Sequence, residues 1–108
     1  MKVAYKIWLD NNGKAFGEGP YELLQRIEDT GSLHQAAKEL RISYRKAWLI
    51  LHRCEEKLGF PLLERRIGGA SGGGSRVTPR GRKMMASYQK FRREVEQSLE
   101  RIYKKHFG

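Results

Sequence analysis

The chain has 108 residues, with 22 Lys and Arg against 12 Asp and Glu, a net charge of +10 and a pI near 10.1. That length fits one domain with a modest core and no second, and the charge points to a polyanionic partner rather than to any particular fold. One cysteine, Cys54, excludes an intrachain disulfide and a Cys-rich metal site, and neither a signal peptide nor a membrane span is legible, so a soluble cytoplasmic protein in a reducing compartment is expected.

Val3, Tyr5, Ile7 and Leu9 alternate with Ala4, Lys6 and Trp8, the period of a strand. Asp10 to Gly13 supplies turn chemistry and Lys14 to Gly17 a returning strand, so a β-hairpin opens the domain. Gly19 and Pro20 mark a helix start with proline at the first helical position. Leu23, Leu24 and Ile27 form its apolar stripe and Gly31 its C-terminal cap.

Ser32 with Gln35 is a capping-box pattern, and Leu33, Ala36, Ala37 and Leu40 follow at helical spacing. After Arg41 and Ile42, Ser43 caps a third helix whose Ala47, Leu51, Cys54 and Leu58 share one face, ending at Gly59. Leu62 to Ile67 and Arg76 to Thr78 read as two strands around a loop, Gly68 to Ser75, with five glycines in eight residues. Thr78 and Pro79 start a last helix that runs to about His106, roughly 42 Å at 1.5 Å per residue.

Two helices joined by a short turn, the second with a polar first turn, describe a helix-turn-helix. Ala36 and Ala37 permit close packing and Ile42 plugs the turn into the core, which leaves Tyr44, Arg45 and Lys46 exposed where a helix N-terminus can enter a major groove. Arg45 suits guanine or phosphate, Lys46 either as a point charge, and Tyr44 a thymine methyl or a phosphate. Trp48 fits the edge of that face or the core flank equally well, and His52 and Arg53 lie within reach of phosphates. At the start of the second helix, Ser32 and Gln35 join the candidate DNA-facing set, as does Ser43 at the start of the third.

The glycine loop lacks the lysine and following helix of a nucleotide-binding loop. With Arg65, Arg66, Ser75 and Arg76 around it, it reads instead as a basic wing that meets a backbone or minor groove. Charge is concentrated here: from Arg41 to Arg93 there are 14 bases and three acids, a local +11, and the remainder sums to −1. A spread of that extent suits a duplex better than one small anion. His34, His52 and His106 have no metal-ligand spacing and no carboxylate pair sits on a cleft-forming element, so neither an enzyme nor a bound cofactor is expected.

The runs GSLHQAAKELRISYRKAW and LGFPLLERRIGGASGGGSRVTPRG together resemble the N-terminal winged helix-turn-helix of molybdate-responsive ModE-type regulators and, more loosely, that of LysR-type regulators. The S-Y-basic-x-A-W element and the glycine-rich wing carry the first likeness, and VTPRG leading into a long helix the second. The resemblance implies a mainly α winged helix-turn-helix with a small β component. It further implies a DNA-binding transcriptional regulator acting on a double-stranded operator as a homodimer, with the long terminal helix pairing the subunits. Residues 1–78 would then be the reading unit and 79–108 the dimerisation helix, whose stripe is Met84, Tyr88, Phe91, Val95, Leu99 and Ile102. The competing fate of that stripe is to fold back on the amino-terminal hairpin. In full-length members molybdate is held by a separate β-rich domain with no counterpart in these residues, so oxyanion sensing is not carried over. The alternatives in other classes are a small oxyanion-binding protein using the basic wing and an adaptor acting through its last helix.

Overall fold

Asn12 and Gly13 both take positive φ (55° and 131°) and reverse the chain between β1 (Trp8–Asp10) and β2 (Lys14–Gly17). The pair is antiparallel, with Leu9 opposite Phe16 and an irregularity between Leu9 and Asp10. The computed structural model describes residues 1–66 and 74–108, and for Arg65 and Arg66 it describes the backbone only. β1 is shorter than the alternation from Val3 implies, because β2 offers only four residues to pair with. Residues 1–7 lie outside any strand. The Tyr88 hydroxyl donates to the Ile7 carbonyl at 3.3 Å, which holds this segment beside the last helix.

α1 (Glu18–Thr30) begins two residues earlier than its proline suggests, so Pro20 is third in the helix. It stays within the first turn, where a missing N–H costs nothing. Gly31 (φ 73°) closes α1 and Gly59 (φ 82°) closes the third helix, α3 (Tyr44–Leu58), each donating its N–H to a carbonyl of the last turn. α2 (Leu33–Glu39) is capped by Ser32, whose hydroxyl accepts the Gln35 N–H at 3.1 Å. The capping box is only half formed. The Gln35 side chain turns to Glu39 at 3.5 Å, and the Ser32 N–H goes to the Thr30 hydroxyl at 3.3 Å.

The turn into α3 (Tyr44–Leu58) places Arg41 at φ 58°, a left-handed conformation rarely taken by a residue with a Cβ. The chain then folds into β3 (Leu63–Arg66) and β4 (Gly74–Val77), antiparallel with Leu63 opposite Val77 and Arg66 opposite Gly74. Both strands are shifted from the expected limits. Leu62 and Thr78 lie just outside them, the Thr78 N–H donating to the Leu62 carbonyl at 2.9 Å, and the Thr78 hydroxyl is committed to capping, donating to the Pro61 carbonyl at 2.8 Å and accepting the Gly81 N–H at 3.0 Å. The expectation that the first wing strand reaches Ile67, and the glycine tip itself, lie outside the described residues.

The core is Phe16, Tyr21, Leu23, Leu24, Ile27, Leu33, Ala36, Ala37, Ala47, Leu51, Cys54, Leu62, Val77 and Tyr88, one cluster drawn from every helix and from both hairpins. Each large aliphatic or aromatic side chain taken out of water there contributes about 1.5 to 3 kcal/mol. α4 (Pro79–Phe107) supplies Tyr88, and this corrects the pairing stripe. Tyr88 is 1% exposed, meeting Phe16 edge-on at 5.3 Å and Tyr21 at 5.7 Å, so it belongs to the chain's own core. Arg92 pairs with Glu18 and lies over the rings of Tyr21 and Tyr88 at 5.1 and 5.7 Å, which fastens α4 to the start of α1.

Beyond Arg92 the helix leaves the core. The radius of gyration is 16.2 Å and the molecule measures 58 × 27 × 21 Å, whereas a compact domain of this length has a radius of about 13 Å. Along the projecting half, Met1, Val3 and Tyr5 line a cleft of about 430 Å³ with Leu99 and Tyr103. The amino-terminal segment therefore shares this half of α4, although Phe91 (43%) and Ile102 (51%) remain exposed.

Candidate nucleic-acid interface

α2, the turn and α3 form one packed unit because Ala36, Ala37 and Ala47 are essentially inaccessible and bring the two helices close. Ile42 packs against the core from the turn, and its N–H donates to the Ala37 carbonyl at 3.0 Å. The Ser43 hydroxyl accepts the Lys46 N–H at 3.0 Å, which fixes the start of α3. One side of α3 is thereby committed to the core through Ala47, Leu51 and Cys54. Burial pushes the Cys54 thiol up to about 11, so at neutral pH it is a small apolar group and not a nucleophile.

The other side carries Tyr44, Arg45, Lys46, Trp48, His52 and Arg53, all exposed. Among the described residues none of Arg45, Lys46 and Arg53 is engaged in an ion pair. Two stacked pairs order the aromatic groups. His34 of α2 lies against Tyr44 with ring centroids 3.9 Å apart and planes 12° from parallel, and Trp48 lies against His52 at 4.6 Å and 13°. Trp48, 38% exposed, is thus on the outer face and outside the core cluster.

His52 is less available to a phosphate than its spacing suggests. Its Nε2 is 3.1 Å from Glu56 Oε1 and its Nδ1 4.0 Å from Glu55 Oε1, so two carboxylates compete for the imidazole. Ser32 and Ser43 have hydroxyls spent on caps, while Gln35 is exposed next to Glu39. In the wing, Arg76 stands opposite Glu64 with Nε 4.0 Å from the carboxylate, and Ser75 is half-buried. The backbones of Arg65 and Arg66 pair with Ser75 and Gly74, and their side chains lie outside the described residues.

Sequence reasoning missed three features. The His34–Tyr44 stack joins residues ten apart on different helices, and no periodicity announces it. Arg80 lies 4.2 Å from the Phe60 ring, joining the start of α4 to the segment after α3. Glu55 Oε2 accepts the Leu62 N–H at 2.6 Å and the Leu63 N–H at 3.3 Å. The only signal for this last one was an acidic pair standing in a strongly basic stretch.

Residues 21–82, from α1 into the first turn of α4, match the family model described as bacterial regulatory helix-turn-helix protein, lysR family. The chain is 34% identical over 90 residues to the molybdenum transport protein ModE of Azotobacter vinelandii, covering 83% of this chain and 33% of that one. It is 37% identical over 77 residues to the transcriptional regulator ModE of Haemophilus influenzae, covering 71% and 30%. The chain thus spans about a third of the length of these relatives. A crystal structure of the BenM_DBD/benA site 1 DNA complex superposes with a TM-score of 0.57 over 83% of this chain and 93% of that one, at 23% identity, a likeness of fold. The chain is similar to ModE relatives over most of its own length, and by its helix-turn-helix it belongs to the bacterial regulatory helix-turn-helix proteins of the lysR family.

Proposed function

We propose that the chain is the DNA-reading part of a cytoplasmic transcriptional regulator that binds a specific duplex operator as a homodimer and carries out no catalysis. The observation that carries this reading is the exposed first turn of α3, where Arg45 and Lys46 stand outside any described ion pair beside a helix N-terminus. Such a turn fits the major groove, with Arg45, Lys46 and Tyr44 at base edges and Arg53, Arg65, Arg66 and Arg76 at phosphates. The same fold is seen on DNA in the BenM complex, and the Haemophilus influenzae relative is named a transcriptional regulator.

The homodimer rests on α4. Its near half closes the core, and past Tyr88 it carries exposed Phe91 and Ile102 and half-buried Val95 and Leu99, with Val3 and Tyr5 beside Leu99, an apolar surface that a second copy would cover. Two copies pairing there would set their α3 helices about 34 Å apart, one turn of DNA. Residues 1–78 then act as the reading unit and 79–108 as the pairing helix of one structural domain, with Tyr88 working for the first.

Selection of bound sequences from a random duplex pool tests the proposal. A pseudo-palindrome with half-sites about one helical turn apart is expected, the same with and without added molybdate, since the bases are spread over a surface and converge on no single anion. Failure to enrich any sequence contradicts it.

A further inference from the structure

The wing root is fastened to the helix-turn-helix unit from two sides. On the α1 side, the Ser75 N–H donates to the Gly31 carbonyl at 2.9 Å. The approach there is so close that a Cβ on Gly74 would lie 2.7 Å from the same oxygen. On the α3 side, beside the buried Leu62 side chain, the Glu55 carboxylate receives the N–H groups of Leu62 and Leu63 at 2.6 and 3.3 Å. Its side chain is 25% exposed and borders a groove of about 110 Å³ between α3 and the wing root, alongside Tyr44, Trp48, His52 and Ser75.

This arrangement runs against simple charge accounting. Glu55 is one of three acids among 14 bases between Arg41 and Arg93, and a carboxylate beside a phosphate-binding surface weakens binding by repulsion. Yet its carboxylate is directed at backbone donors that lead into β3, just after the fully buried Leu62 side chain. Without it those donors lose a charge-assisted acceptor and the start of β3 loses its tie to the α3 side chain, although Leu62 stays in the core. Resting on the DNA reading above, we propose that Glu55 is a positioning residue for the wing: it fixes where β3 leaves α3, and so sets the distance between Arg76 and the first turn of α3.

The test is a double-mutant cycle on the duplex selected by the wild type. Glu55→Ala is expected to weaken binding about tenfold, the scale of one lost charge-assisted hydrogen bond, although it removes a negative charge. Arg76→Ala should cost several-fold in the wild type and little in the Glu55→Ala background, while Arg45→Ala costs the same in both. Unchanged or tighter binding by Glu55→Ala, or an Arg76→Ala cost that does not depend on residue 55, overturns the proposal. Glu55→Gln keeps one acceptor without the charge and is expected within about threefold of wild type. A loss as large as alanine's would show that the charge, not the hydrogen-bonded tie, is what counts, and would also overturn it. Amide exchange at Leu62 reads the tie without DNA: it should accelerate in Glu55→Ala, and an unchanged rate contradicts the tie. A wild type that selects no duplex while Leu62 still depends on Glu55 would instead sink the DNA reading.

Discussion

α3 and α4 are both amphipathic, but they divide differently. α3 is split around its circumference: over its 15 residues one side is buried through Ala47, Leu51 and Cys54, and the opposite side is basic and aromatic. α4 is split along its length: the part up to Tyr88 closes the core, and the remainder of its 29 residues projects beyond it. A helix divided around its circumference is complete within one chain, and its outer face is free to meet a ligand. One divided along its length carries apolar surface away from the core, where the amino-terminal segment meets part of it and Phe91 and Ile102 stay exposed. Exposure alone does not assign a role: Arg45, a cation on the outer face of α3, and Ile102, an apolar residue on the projecting part of α4, are both exposed.

The largest effect should come from breaking the inner half of α4. Tyr88→Ala removes a buried ring packed on Phe16 and Tyr21, and is expected to cost about 3 to 5 kcal/mol in denaturant or thermal unfolding. A loss below that of an ordinary surface substitution would place Tyr88 on the pairing surface instead.

The inner side of α3 can be read by pH. Burial raises the Cys54 thiol from 9.0 to about 11, so the folded state holds its proton more tightly than the unfolded chain. The associated stability is fully present below pH 9 and is lost as pH rises through 11, an effect of about 2 to 3 kcal/mol. Thermal melts of wild type and Cys54→Ala compared across that window should converge as pH rises, and parallel curves would contradict burial of the thiol.

On the outer side of α3, Arg45→Ala is expected to weaken binding to the selected duplex by roughly 1 to 3 kcal/mol and to relax preference at one base position. Equal losses on all sequences, measured by fluorescence anisotropy, would reduce Arg45 to a phosphate contact. The smallest effect lies in the turn between the helices. Arg41 holds φ 58°, and Arg41→Gly should relieve strain of roughly 1 kcal/mol while losing part of it to a freer unfolded chain, for a net gain of several tenths.

Most of this division was legible in the sequence, because caps and helical spacing are local. Ser43, Gly31, Gly59 and Thr78 each do what their residue type suggests, and the helix-turn-helix follows from them. The first strand was overread because alternation from Val3 to Leu9 describes a chain with two faces but says nothing about the length of its partner, and β2 has four residues. Tyr88 was assigned to the wrong partner because helical spacing places a residue on a face without saying where along the helix the core ends. Glu55 and the His34–Tyr44 stack were invisible because each depends on a contact between separate elements.

Sedimentation of the wild type and of Val95→Asp with Ile102→Asp, each also titrated with the selected duplex, decides whether the far half of α4 pairs two copies. A wild-type dimer at micromolar concentration is expected, and a folded monomeric double variant whose operator affinity falls by about two orders of magnitude as the linkage of two reading helices is lost. A wild type that sediments as a monomer, or a double variant that remains dimeric, would contradict it.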